Sequence, residues 1–511
     1  MTRKKLPIGI QSFAKIRQEG YYYVDKTPFV ARLAEEGSYY FLSRPRRFGK
    51  SLFVDTLAEA FSGNRGLFTG LYLEDHWDWS RRHPVIRISF AEGRLQSRQE
   101  LDQRIGELLE RNQRMLNVRC TLPSISGCFG ELIELAHKKY DQRAVILVDE
   151  YDKPILDNLT EPEIARQMRE GLRNLYSVIK GQDAHIRFAF LTGVSKFSKV
   201  SLFSGLNNLR DITLSEKYAT ICGYTDEDVD TVFAPELSGL DREAIRQWYN
   251  GYRWGETPVS NPFDLLLLFE ERQFRSWWFE TATPTFLVDW LLRHGFFTPR
   301  LERLYASEAL LSAFDVDRME PEALLWQTGY LTISEVLESE EGIEYVLGLP
   351  NREVRKSLNE ALARAFVPVS PTWSAHAIAS MLKRGDVPGL RDHMVRLFAS
   401  IPHSWYDTSP IARYEGYYAS VFYSHLASLG LAIIPEDISN VGRCDLTVRH
   451  GQTVWVMEFK VVDGEAPTGE ALAHLQQKNY AAKYQAPGVT VLQVGIEFSR
   501  TKRQIVGWEG G

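Results

Sequence analysis

Hydrophobic residues in the first 225 positions gather into short unbroken runs, and the stretches between them carry apolar residues three and four apart. The runs Tyr39–Leu42, Val85–Phe90, Ala144–Val148 and Ile186–Thr192 predict strands buried on both faces. The patterned stretches Leu52–Phe61, Gln99–Met115 and Glu163–Ile179 predict helices. This alternation predicts an α/β fold: a parallel sheet with helices on both faces. From Asp226 to about Ser400 the rhythm is lost. That region reads as helical and rich in tryptophan and tyrosine, with breaks at Gly251–Gly255 and Asn261-Pro262. One strand pair is expected inside it, around Leu331–Ile333 and Tyr345–Leu347. After about Ile401 the order changes again: helix Glu415–Leu429, strands Ala432–Ile434, Cys444–Val448 and Val454–Phe459, helix Gly469–Tyr484, strand Val489–Val494.

Composition narrows the class. A chain of 511 residues exceeds one ordinary core, so several domains are expected, bounded at 1–225, 226–400 and 401–511. Its 44% apolar and 25% charged residues fit a folded soluble protein. A formal net charge of −6 argues against a chain that coats nucleic acid non-specifically, while leaving room for a local basic groove. No apolar run has the length of a membrane span, so no membrane partner is expected. The basic N-terminus lacks the apolar stretch of a signal peptide. Cys120, Cys128, Cys222 and Cys444 have no paired spacing, and a reducing cytoplasm is the simplest setting.

Arg44-Pro-Arg-Arg-Phe-Gly-Lys-Ser51 stands between the first strand and the first patterned helix. A strand that ends in Gly-Lys-Ser and opens a helix suits phosphate: backbone amides and the helix N-terminus offer partial positive charge. Lys50 adds a full charge, and Ser51 offers a hydroxyl to Mg²⁺. The usual spacing has a second glycine where this chain has Arg44. Val145–Val148 runs into Asp149-Glu150. Alone, that pair reads as a polar strand exit; downstream of Gly-Lys-Ser, it reads as a metal-holding aspartate and a water-activating glutamate. Thr192, at the next strand tip, reads as a strand-end residue or a γ-phosphate sensor. Arg46 and Arg47 read as phosphate contacts or solvated surface. The candidate ATP-binding set is Arg46, Arg47, Phe48, Gly49, Lys50, Ser51, Leu52, Asp149 and Thr192, with Ser51 and Asp149 on Mg²⁺ and Glu150 as base.

Several motifs together carry a family resemblance. Phe41–Leu52, Tyr23-Val-Asp-Lys-Thr27, Val148-Asp-Glu-Tyr-Asp152, Thr192–Phe197, Tyr249-Asn-Gly-Tyr-Arg253 and Asn261-Pro-Phe263 resemble the bacterial AAA-ATPase-like family. Its members often carry a nuclease-like domain of the PD-(D/E)XK class at the C-terminus. The resemblance implies a P-loop ATP-binding fold, and the Arg-rich loop typical of the group accounts for Arg44. It also suggests that Tyr23–Thr27 helps frame the nucleotide base. The plain residue reading of that segment is a helix start, with Asp25 or Thr27 ahead of Pro28. Arg210 and Arg253 are candidate arginine-finger or sensor residues.

Near the C-terminus, Glu458 and Lys460 lie two apart on one strand and so share a face. A hairpin through His450-Gly451 brings Asp445 beside them. Two carboxylates suit a hard divalent cation, which activates water and steadies a phosphodiester in transition. This Asp…Glu-X-Lys order resembles the PD-(D/E)XK active-site pattern. Glu415, on the preceding helix, matches an additional acidic residue of related nucleases. Gln476 and Tyr480, read as four apart on one helix, resemble the Gln-XXX-Tyr motif of nucleases similar to the RecB nuclease domain. Lys478 and Lys483 add charge suited to a DNA backbone. The expected catalytic set is Glu150, Asp445, Glu458, Lys460, Gln476 and Tyr480, and the expected second metal set is Glu415, Asp445 and Glu458.

The aromatic middle (Trp248-Tyr249, Trp254, Trp277-Trp-Phe279) reads as core rather than as a base-stacking platform, in a helical lid and connector. The combined expectation is an ATP-binding, ATP-hydrolysing protein coupled to a metal-dependent nuclease-like domain acting on nucleic acid, DNA before RNA, with a homo-oligomer possible. Two rivals stand beside it: an ATP-gated nucleic-acid-binding module that does not cut, and a signalling or assembly ATPase.

Overall fold

The structure is a computed structural model, and it describes residues 3–196, 208–282, 285–311, 320–340, 342–367, 375–401 and 415–510. The chain forms two compact units, Met1–Trp278 with Tyr305–Asn351, and Phe279–Leu304 with Arg352–Gly511. The 226–400 stretch is therefore shared between them.

In the first unit, strands β1 (Tyr39–Ser43), β2 (Val85–Ser89), β3 (Ala144–Asp149), β4 (Ile186–Gly193) and β5 (Arg210–Asp211) form one sheet in the order β2–β3–β4–β1–β5. Every neighbouring pair is parallel. All six residues of β3 are buried, as expected of a strand covered on both faces. Helices Lys50–Phe61, Arg98–Leu116, Ile125–Tyr140 and Pro162–Gly181 connect the strands. Their ends follow local chemistry: Ser97 and Ser124 cap helix starts, and Asn117 and Asp141 end helices in left-handed geometry. The expected strand pair of the middle region is present as β7 (Thr332–Ser339) and β8 (Gly342–Gly348), antiparallel, with β6 (Leu304–Ser307) on the other side of β8.

Core packing takes up the aromatic residues of the middle region. Tyr249, Tyr252 and Trp278 are fully or almost fully buried. Among the described residues no helix is long and apolar enough to cross a membrane.

The second unit carries a mixed sheet in the order β13–β12–β11–β10–β9, made of β9 (Ala432–Ser439), β10 (Gly442–His450), β11 (Thr453–Val462), β12 (Thr490–Ser499) and β13 (Gln504–Gly510). Only the β11–β12 pair is parallel, and the connection between those two strands holds helix Glu470–Lys478.

The sequence predicted one helix over Gly469–Tyr484. The structure ends that helix at Lys478, turns at Asn479 in left-handed geometry (φ 50°), and resumes as a 3₁₀ turn over Tyr480–Tyr484. Asparagine tolerates that conformation better than other side chains do. The helix packs closely on β12 at Gly495, where an added methyl group would collide with the backbone of Leu472. Gly495→Ala is therefore expected to destabilise the second unit by about 1–3 kcal/mol, the usual cost of forcing atoms into a packed site. Chemical denaturation of the two proteins checks this.

Candidate functional site

Two groups of polar side chains form, one at the sheet end of the first unit and one on a face of the second unit's sheet. The first is the loop after β1. It is anchored by packing. Arg44 is fully buried and donates through Nη1 to the carbonyls of Ser43 (2.8 Å) and Thr213 (3.0 Å), and through Nη2 to that of Tyr218 (3.1 Å). Its guanidinium lies 4.1 Å from the Trp254 ring centroid. Burial lowers its pKa to about 10, and it remains a cation at neutral pH. Phe48 sets the other end of the loop, edge-on to Tyr252 (4.7 Å) and Trp254 (5.4 Å). Its ring is thereby removed from the ligand-contacting set. Between the anchors, Arg46 and Arg47 are exposed. Trp278 Nε1 donates to the Arg46 carbonyl (3.1 Å), and the Arg47 guanidinium lies over Phe263 (4.9 Å).

Gly49 has φ 94°, a left-handed conformation suited to glycine, and it leads directly into the helix that starts at Lys50. Lys50 is buried and caps its own loop, with Nζ donating to the carbonyls of Arg44 and Pro45, both at 2.9 Å. Burial lowers the Lys50 pKa, while the Asp149 and Glu150 carboxylates pull it up. Burial raises Asp149, opposed by the Ser51 hydroxyl; burial also raises Glu150, reinforced by Asp149. Lys50, Ser51, Asp149 and Glu150 thus meet at the carboxyl ends of parallel strands, where open sheets bind ligands. A cleft of about 250 Å³ runs from Ser51 and Asp149 past Asp55, Arg87 and Ser89.

The β3 exit is held in an unusual shape. Glu150 has φ 52°, rare for a residue with a side chain. The next turn is pinned by Asp152, whose carboxylate accepts from the Val194 and Ser195 amides and, at 2.5 Å, from the Ser195 hydroxyl. Thr192 does not join the site. It is fully buried and its hydroxyl donates to the Leu42 carbonyl (2.8 Å), tying β4 to β1. Asp25 accepts from the Thr27 amide and hydroxyl and from the Tyr72 amide, which is the helix-start role. Arg210 pairs with Glu36 at 3.7 Å, and the Arg253 amide donates to Thr332.

The second group lies on the mixed sheet. Leu446 pairs with Met457, so Asp445 and Glu458, one step along, stand side by side on one face. Asp445 Oδ2 accepts from the Phe459 amide (2.7 Å). Glu458 is 3% exposed. Its Oε1 accepts from Lys460 Nζ (3.3 Å), and among the described residues its Oε2 has no hydrogen-bond partner. A buried carboxylate oxygen without a donor is costly unless a cation completes it. Among the described residues no three metal-ligating side chains cluster together. Two carboxylates still fit Mg²⁺, which keeps waters and takes substrate phosphate as further ligands. The Glu415 side chain lies outside the described residues.

The two predicted helix members of this site part company: Tyr480 stays beside it, its ring edge-on to His474 at 5.9 Å, and Gln476 does not. Gln476 is exposed on helix Glu470–Lys478. Tyr480 lies beyond the helix break and is buried in a cluster with Cys444, Val454, Val456 and Leu475. The shared helix face expected for the pair is therefore absent, because Asn479 ends the helix between them. Lys483 is committed to Asp437 (2.5 Å) and the Ile438 carbonyl (2.7 Å), whereas Lys478 is exposed. The residue that reaches Glu458 is one the sequence reading passed over: His474, whose Nδ1 lies 2.7 Å from Glu458 Oε1. Its signal was available, since on a helical wheel His474 borders the buried stripe Ala471–Leu475 and Gln476 falls on the opposite side.

Comparison with known proteins agrees with this division. Residues 7–203 match the family model for a predicted AAA-ATPase, and residues 413–508 match that of the PD-(D/E)XK nuclease superfamily. A protein of Azotobacter chroococcum mcd 1, described as an uncharacterized protein in the vnfD 5′ region, is 58% identical over 511 residues, covering 99% of each chain. No solved structure matches.

Helix Glu470–Lys478 owes its placement partly to Glu497 on β12. The Glu497 carboxylate accepts from the amides of Thr468 (2.5 Å) and Ala471 (3.2 Å) at the helix start. Burial opposes ionisation here, but these hydrogen bonds prevail and the pKa is lowered. A depressed carboxylate stabilises the fold above its unfolded pKa of about 4.3, and that contribution is lost as pH falls through the folded value. Glu497→Gln is expected to lower the melting midpoint at pH 7, with the gap from wild type closing below about pH 4. Melting curves across that range check it.

Proposed function

The chain belongs to the predicted AAA-ATPase-like family and carries a PD-(D/E)XK nuclease-superfamily domain, and from that premise we propose that it binds and hydrolyses ATP and cuts nucleic-acid phosphodiesters, DNA before RNA, with a divalent metal. The observation that carries the nuclease half is the buried Oε2 of Glu458, without a hydrogen-bond partner among the described residues and next to Asp445 and Lys460. The ATP half is supported by Lys50, Ser51, Asp149 and Glu150 meeting at one sheet end.

At the first site, the amides of Gly49, Lys50 and Ser51 open toward the phosphates, and Lys50 exchanges the Arg44 and Pro45 carbonyls for phosphate oxygens. Ser51 and Asp149 are the residues that would hold Mg²⁺. Glu150, raised by burial and by Asp149, accepts the proton of the attacking water. At the second site, Asp445 and Glu458 are the pair that would hold the metal, and Lys460 would steady the phosphate or orient the nucleophile. The metal, when bound, supplies Lewis-acid stabilisation of the developing negative charge.

Two experiments test this. Lys50→Ala should abolish binding of a fluorescent ATP analogue, and Glu150→Gln should keep binding while turnover falls by about 100-fold or more, the scale of general-base loss. Unchanged nucleotide binding by Lys50→Ala would end the ATP assignment. Purified protein with Mg²⁺ or Mn²⁺ should nick or degrade DNA, and Glu458→Ala or Lys460→Ala should remove that activity. Cleavage that survives both changes would reject the second site, and retention of DNA without cleavage would favour a binding module.

A further inference from the structure

His474 is the side chain best placed to govern the nuclease-like site, and its position owes nothing to the Asp…Glu-X-Lys pattern. It projects from helix Glu470–Lys478, an element separate from the strands that carry Asp445, Glu458 and Lys460. That helix is seated by backbone features: Glu497 receives its first amides, and Gly495 allows its close approach to β12. The imidazole is further located by Tyr480, edge-on at 5.9 Å. Its Nδ1 stands 2.7 Å from Glu458 Oε1, shorter than the 3.3 Å contact from Lys460. Oε1 already accepts from Lys460 Nζ and is the acceptor in this contact too, so the ring nitrogen donates.

We propose that His474 is the positioning residue of this site: by donating Nδ1–H to Glu458 Oε1, it turns Oε2 toward a divalent cation and frees Lys460 for the substrate phosphate. The proposal rests on reading Asp445 and Glu458 as the metal pair. Among the described residues two donors share Oε1, and none serves Oε2. Without His474, release of Lys460 would leave a buried carboxylate with neither donor. With it, the lysine can leave while Glu458 keeps a hydrogen bond from a group on a fixed helix. Carboxylate ligands held by such outer hydrogen bonds lose metal affinity when the supporting group is removed.

The test uses the full chain without nucleotide and reads Mn²⁺ binding by calorimetry and electron paramagnetic resonance. Glu458→Gln identifies which Mn²⁺ binding belongs to this site. His474→Ala is expected to weaken that binding by roughly 10- to 100-fold with little change in melting midpoint. His474→Asn, whose amide nitrogen falls near the position of Nδ1, is expected to restore most of it. Wild-type affinity in His474→Ala would overturn the proposal while leaving the metal pair standing. So would equal losses in the Ala and Asn variants accompanied by a lowered midpoint. If wild type and Glu458→Gln bind Mn²⁺ alike, the metal reading falls and this inference falls with it. Nitrogen-15 spectra of histidine-labelled protein give a metal-free check: the Nδ1-protonated signal of His474 should move in Glu458→Gln, and a stationary signal would also overturn the proposal.

Discussion

The loop after β1 depends on a guanidinium buried, among the described residues, without an acidic partner in hydrogen-bond contact. Arg44 is sheltered by three carbonyl oxygens and the face of Trp254. A lysine has neither the planar fork nor the weak hydration that make such burial tolerable. Because those carbonyls belong to β1 and to the segment following β5, the arginine fixes where the loop starts relative to two neighbouring parts of the chain. Phe48, wedged against Tyr252 and Trp254, fixes where it ends. Held at both ends, the loop turns into its helix through Gly49, and packing takes the place of a second glycine.

The other motifs of the first unit that carry the resemblance serve the same purpose at a distance. Tyr249–Arg253 supplies Tyr252 to the wall behind Phe48. Phe263, in Asn261-Pro-Phe263, lies under Arg47. Asp152 grips the end of β4, and this grip lets Glu150 stay in a conformation that costs about 1–3 kcal/mol for an ordinary side chain. Residues that looked like candidate chemistry therefore divide into those facing the cleft and those holding the cleft in shape.

The β1–β4 strands were legible because each is a short apolar run between clear punctuation. β5 was not, since Arg210-Asp211 is a two-residue polar strand whose pairing with β1 is a tertiary fact. At the C-terminal site, Asp445, Glu458 and Lys460 were legible from strand alternation and a hairpin. The Gln476–Tyr480 pairing failed through Asn479. In an unbroken helix, Tyr480 would face away from the buried stripe of Ala471 and Leu475; the left-handed turn redirects it inward. His474 was missed because motif matching took precedence over the helical period. The role of Asp152 was not legible, since a carboxylate that binds amides leaves no periodic trace.

Lys50 has a consequence for ligand entry. Its ammonium is already solvated by the carbonyl dipoles of its own loop, so an arriving anion must compete with them and with the nearby Asp149 and Glu150 carboxylates. A weakly charged ion such as chloride offers too little in return for that exchange. A polyphosphate that also engaged the amides beyond Gly49 would offer far more, so under the proposed ATP reading the loop would discriminate by charge density before any base or sugar is recognised.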